Sequence, residues 1–291
     1  MVDDAKRAGC EVGITTNGDL LEPAIDWIVE KNTDQIVLSV AGDAAAHADL
    51  RSGAQLDQLW TVLGRLVARR GGKKLPKVKV SYLLTRRNCS QVSAIVEAAA
   101  EAGADELFVI HLDCTPTREL LDESVFTDAE SISEAAEALG QAAAVARKHR
   151  IGFRAPRLAP LDLLVCSLDP PSIVFVRADG RVGPCVYLGL PVSGSLPRCS
   201  REAATEVEAT VYGDLAQERL AEILDGERFR TFTGEFDERL AIERRFVDGV
   251  AERSALENLS YLDEADRRRE QELEAHPFPA DCAGCHKVVG W

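Results

Sequence analysis

The chain has 291 residues, 46% of them hydrophobic and 28% charged, and its 48 Asp and Glu outweigh 34 Lys and Arg to leave a formal net charge of −14. That length admits one large domain or two modest ones, and the acidic balance argues against nucleic-acid backbone or anionic lipid as a partner. No apolar run approaches the roughly 20 residues that span a bilayer, and "MVDDAKRAGC" lacks the apolar core of a signal peptide. A cytoplasmic protein is expected, with its eight cysteines serving as thiols or metal ligands and not as a disulfide framework.

From residue 11 to about 155 the pattern alternates. "EVGITT" (11–16), "DQIVLSV" (34–40), "KVKVSYLLT" (77–85) and "DELFVIH" (105–111) are short, apolar or β-branched runs of the kind that form buried parallel strands. Amphipathic stretches at 20–31, 55–70 and 90–102 lie between them, and an Ala-rich helix is expected at 128–149. This rhythm predicts an α/β domain with a parallel sheet or barrel over 1–155. Beyond it the character changes. "SIVFVRADGRVGPCVYL" (172–188) reads as a β-hairpin about Asp179-Gly180, "PVSGSLPRCS" (191–200) as a loop, and 215–233 and 236–275 as helices. A second, smaller α+β domain is expected over 156–291.

Four cysteines stand out by spacing. Cys282 and Cys285 form C-x2-C, which lets one tight turn present two thiolates to one centre. Cys166 and Cys185 flank the hairpin as C-x13-G-x4-C, with Gly180 as the glycine. Two such pairs can converge as a four-thiolate shell for zinc or for an iron–sulfur cluster. Cys10, Cys89 and Cys114 read as small buried hydrophobes, Cys199 as a reserve ligand, and His286 as a surface residue that could also bind zinc.

In this combination the sequence resembles the radical S-adenosylmethionine (SAM) enzymes that carry a SPASM or twitch extension. "VFVRADGRVGPC" is similar to the family's hairpin leading to a cluster cysteine, and "YGDLAQERLAEILDGERFRTF" to the segment after it. "ITTNGDLL", "IVLSVAGDAAAHADLRSG" and "VSYLLTRRN" resemble the third, fourth and fifth strands of the (β/α)6-type barrel with their terminal turns. The resemblance implies strands 3–6 of a partial barrel followed by the auxiliary-cluster domain. It implies a 4Fe–4S cluster on Cys166, Cys185, Cys282 and Cys285, and places Asn17, Ser39, Arg51 and Asn88 on the SAM pocket. The residue types suit that role, since a guanidinium can fork onto the SAM carboxylate while amides and hydroxyls meet its ribose and amino groups. Each also has a simpler reading: a left-handed turn for Asn17, a strand-end hydroxyl for Ser39, a surface charge for Arg51, a helix cap for Asn88.

The family's defining C-x3-C-x2-C, whose thiolates hold the SAM-binding 4Fe–4S cluster, does not occur in the 291 residues. The expectation is therefore an N-terminally truncated relative, by a mis-started reading frame or by natural shortening, with an open sheet edge at 11–16. The intact protein would cleave SAM reductively and abstract hydrogen from a substrate, a peptide or protein in many relatives, using an external electron donor. SAM and a second cluster are expected only in that intact form. The alternatives are a non-catalytic zinc or iron–sulfur module and an inactive fragment. His111 and Asp113, at the end of the last expected strand, are the remaining candidates for a rim role.

Overall fold

The computed structural model describes every residue except 52, 53, 162, 192, 193, 200–203, 253, 254 and 291, and except the side chains of 255–260. The chain divides into two compact units, Met1–Leu112 with Asp122–Leu158, and Asp113–Leu121 with Ala159–Trp291.

In the first unit, α1 (Val2–Arg7) precedes five parallel strands: β1 (Gly13–Thr16), β2 (Gln35–Val40), β3 (Lys77–Leu84), β4 (Glu106–His111) and β5 (Gly152–Arg154). They pair in chain order, β1-β2-β3-β4-β5. The intervening helices are α2 (Ile25–Glu30), α3 (Ala44–Leu50), α4 (Leu56–Arg70), α5 (Val92–Glu101), α6 (Arg118–Asp122) at the junction of the two units, and α7 (Ala129–His149). Parallel neighbours end on the same edge, so the turns after β1, β2, β3 and β4 collect along one rim. The central strands carry the core. Ile36, Leu38, Val78, Val80 and Leu84 are fully buried, as expected of parallel strands covered by helices, and Leu63 and Leu66 of α4 and Val96 and Ala99 of α5 are equally buried. Helix ends follow local chemistry. The Asp128 carboxylate accepts from the Ser131 amide at 2.7 Å, and α7 closes on Arg150 in the left-handed region at φ 58°.

The four expected strands form in the expected order with β1 at an edge, but β4, expected as the last strand, lies inside the sheet. The fifth strand, β5, was not anticipated: "GFR" has no apolar run, and it becomes a strand by pairing with Glu106–Phe108 while Arg154 reaches the Glu106 carboxylate. Among the described residues β1 pairs only with β2, on one side, and its residues alternate between exposed and half-buried.

The second unit is built differently. β6 (Phe175–Val176) and β7 (Arg181–Gly183) form the expected hairpin, with Gly180 at φ 90° supplying the turn, and β10 (Gly213–Asp214) completes a three-stranded antiparallel sheet. The segment expected as a loop contains β8 (Ser195–Cys199), paired with β9 (Ala204–Glu208). Pro197 and the flanking turn residues hid it, and an isolated two-stranded ribbon tolerates such composition. The helices are α8 (Leu220–Leu224), α9 (Glu227–Ala251) and α10 (Ala255–Ala275). The expected break near Gly234 is absent; that glycine sits inside α9, where burial of Phe232 and Phe236 on either side outweighs a helix penalty of about 1 kcal/mol. The core of this unit joins Val182, Leu188, Tyr212, Ile223, Phe232 and Phe236 to two thiols, Cys185 and Cys282. Among the described residues no helix is long and apolar enough to cross a membrane.

Candidate metal centre

Cys166 lies on the strand-free segment that enters the second unit, where the Asp169 amide donates to the Cys166 carbonyl at 2.9 Å and the Ser167 amide to the Lys287 carbonyl at 3.2 Å. Cys185 follows β7. Cys282 and Cys285 occupy a turn closed by the Cys285 amide on the Cys282 carbonyl at 3.0 Å, and Gly284 at φ 68° lets the chain reverse between them. A buried guanidinium gathers the two approaches. Arg239 on α9 donates to the carbonyls of Leu163 (3.1 Å), Leu164 (3.0 Å), Leu273 (3.2 Å) and His276 (2.6 Å) and stacks on Phe278 at 4.1 Å. Leu164 lies two residues before Cys166, and His276 precedes the Cys282 turn.

The result is one cavity lined by all four expected cysteines, with Leu168, Leu188, Phe232 and Val288 as apolar wall and Tyr187, Arg198, Asp281 and Lys287 as the polar part. Burial pushes the thiols of Cys166 and Cys185 up, and Cys282 further still, and the charge of the neighbouring thiolates adds to each shift. Arg198 pulls Cys185 and Cys282 the other way. Thiols so placed stay protonated until a cation takes over the charge, so loading such a site releases protons. The thiols ring the cavity: among the described residues no three His, Cys, Asp or Glu side chains are grouped as ligands of a single ion. The donor set, four thiols with apolar walls and nearby cations, suits an anionic thiolate-ligated cluster.

Cys114, expected as a small buried hydrophobe, is half-buried and lies close enough to Cys285 for that charge to raise its pKa further, after burial and Asp113. The pairing of Thr115 with Cys199, amide to carbonyl at 2.8 Å and hydroxyl to carbonyl at 2.7 Å, carries it there. Sequence spacing holds no signal of that pairing. Cys199, the reserve ligand, does not line the cavity; its thiol faces the Pro116 carbonyl at 3.8 Å. His286, expected at the surface, is buried, and burial holds its imidazole below the ordinary range. The Asp113 carboxylate is ion-paired to Lys287 at 2.6 Å.

The first unit places Asn17, Ser39 and Asn88 at or near the ends of its strands and Arg51 at the end of α3. Asn17 is exposed in an Asx turn, its amide donating to the Asp19 carboxylate at 2.8 Å. Ser39 is buried on β2, where its hydroxyl accepts from Ser81 at 3.3 Å. Asn88 is fully buried and closes the turn after β3. Its carbonyl oxygen accepts from the Thr85 amide at 2.8 Å and its amide donates to the Leu83 carbonyl at 2.9 Å. Arg51 follows α3; its Nε is buried with no hydrogen-bond partner among the described residues, and burial lowers its pKa. His47 on α3, which the sequence did not single out, is fully buried and accepts the Ala41 amide at 3.2 Å on Nδ1. His111 is buried with Nε2 2.9 Å from the Arg157 carbonyl.

Residues 166–245 match the SPASM family, described as an iron–sulfur cluster-binding domain. The fold matches a solved structure of Streptococcus suis SuiB bound to S-adenosylmethionine at a TM-score of 0.53 and 13% identity, over 79% of this chain and 51% of SuiB. The chain thus resembles radical SAM proteins that carry a SPASM domain. A second solved structure, native anSMEcpe with bound AdoMet and a Kp18Cys peptide, matches at a TM-score of 0.50 and 13% identity, over 78% of this chain and 60% of anSMEcpe. In sequence the protein is 24% identical over 240 residues to the tungsten-containing aldehyde ferredoxin oxidoreductase cofactor-modifying protein of Pyrococcus furiosus, covering 80% of this chain and 64% of that one. The chain spans 56% to 64% of the length of the curated relatives it matches.

Proposed function

We propose that Cys166, Cys185, Cys282 and Cys285 hold one auxiliary 4Fe–4S cluster, and that the first unit supplies a flank of a SAM site. The observation that carries this reading is the convergence of two distant cysteine pairs on one cavity, inside the segment that matches an iron–sulfur domain. When bound, the cluster supplies a one-electron redox centre. The chain's own residues prepare for it: Arg239 ties the two cysteine-bearing approaches together, and the apolar wall of Leu168, Leu188 and Phe232 keeps water from the sulfurs.

On the first unit, Arg51 offers a buried Nε–H with no partner among the described residues, suited to a carboxylate such as that of SAM, and Asn17 and Ser39 offer an amide and a hydroxyl at strand ends. Asn88 contributes by holding its turn, since its amide is committed to backbone. The complete reaction we assign is reductive SAM cleavage and hydrogen abstraction from a peptide or protein, with an external electron donor; the peptide-bound fold neighbour supports that substrate class. The three-cysteine motif that this cleavage needs does not occur in the 291 residues, and the four cysteines assigned here serve the auxiliary cluster.

The test is anaerobic reconstitution with iron and sulfide, then incubation with SAM and dithionite. A dithionite-bleachable cluster spectrum with no 5′-deoxyadenosine is expected. Formation of 5′-deoxyadenosine by the 291-residue chain would overturn the division of labour.

A further inference from the structure

Two cations line the thiol cavity, and they are not equivalent. Lys287 is neutralised by Asp113 at 2.6 Å. Arg198 makes no ion pair with a carboxylate among the described residues. Its Nη1 donates instead to two neutral carbonyls, Asp281 at 3.2 Å and Ala283 at 2.9 Å, the residues on either side of Cys282. One nitrogen thus straddles the backbone that presents Cys282, and its guanidinium lines the same cavity as the four thiols. Arg198 can reach this turn because β8 is a strand: its register against β9, Arg198 opposite Thr205, fixes where the side chain leaves the backbone.

We propose that Arg198 is a positioning residue for the thiol centre, pinning the Cys282–Cys285 turn through two carbonyls and setting a positive charge beside the cluster. The inference rests on the cluster reading of the four cysteines. Two separable effects follow. The hydrogen bonds hold the ligand turn in place, and so govern how tightly the metal is kept. The charge favours the more negative, reduced state of a thiolate-bound cluster, and so raises its reduction potential.

The experiment compares the wild-type chain with R198Q and R198K, all reconstituted anaerobically. Iron and sulfide content, the midpoint potential by EPR-monitored titration with dithionite, and the rate of iron loss to a chelator are measured. In R198Q the potential moves to more negative values and iron loss accelerates about tenfold. In R198K the potential returns toward wild type while iron loss stays fast, because an ammonium keeps the charge but not the planar reach to both carbonyls. Wild-type potential and wild-type iron loss in R198Q overturn the proposal. Faster loss in both variants with an unchanged potential overturns the charge, leaving only a structural contact. Failure of R198Q to fold, with R198K loaded and at wild-type potential and loss rate, also overturns it. A wild-type chain that takes up no iron and sulfide instead refutes the cluster reading itself.

Discussion

The two units reach stability by different routes. The first is assembled from long regular elements: β2 and β3 run six and eight residues, and their buried aliphatics meet helices whose apolar faces repeat at helical spacing. The second has strands of two and three residues in its main sheet, and such short ladders supply few hydrogen bonds. Its core completes itself with aromatic rings and with Cys185 and Cys282. A core that includes thiols whose charged state is suppressed by burial has folding and metal chemistry in one place. The first unit's core needs no such partner. On the proposed function one chain divides its labour: a scaffold secured by pattern, and a thiol-lined site that a metal centre would complete.

That contrast breaks most visibly on metal removal. Chelating the reconstituted chain should strip hydrogen-exchange protection from amides around 175–188 and 204–214, while those of 35–40 and 77–84 keep theirs. Uniform loss across both units would erase the contrast. Next in size, Phe236→Ala removes a fully buried ring from the core that contains the thiols. It should cost about 3–5 kcal/mol and speed iron loss, both read by denaturation and chelator kinetics. Leu38→Ala in the first unit should cost a comparable amount with no change in iron content.

Smaller effects sharpen the first unit alone. Asn88→Ala leaves the Thr85 amide and the Leu83 carbonyl without their partners, at about 1–3 kcal/mol by chemical denaturation. The smallest effect belongs to Asp128, the cap of α7. Hydrogen bonding from Ser131 holds its carboxyl below the usual carboxylate range. A pKa depressed by folding gives a stabilisation that is complete above the unfolded pKa of about 4 and is lost as pH falls through the folded value. The Tm difference between wild type and Asp128→Ala should therefore be constant near neutral pH and close in acid. A difference that grows in acid would contradict the assignment.

Much of the scaffold was legible because its signals are local. Alternation of apolar strands and amphipathic helices marked β1 to β4, α4, α5 and α7 within a residue or two. The C-x13-G-x4-C and C-x2-C spacings mark the four cysteines in the sequence itself. What escaped the sequence depends on distant pairing. β5 exists through Glu106–Phe108, β8 through β9, and Cys114 reaches the thiols through the pairing of Thr115 with Cys199. Arg198 and Arg239 were equally invisible, since a guanidinium bonded to backbone carbonyls leaves no mark on its own segment. His47 is another case: a buried imidazole on a short Ala-rich helix has nothing in its neighbours to distinguish it.

The central claim is that the four cysteines form one cluster site. It is tested most directly by anaerobic analysis of iron, acid-labile sulfide and zinc in the reconstituted chain. The account predicts iron and sulfide in equal amounts, about four of each per chain, falling sharply in Cys282→Ala. One equivalent of zinc with no sulfide would contradict it.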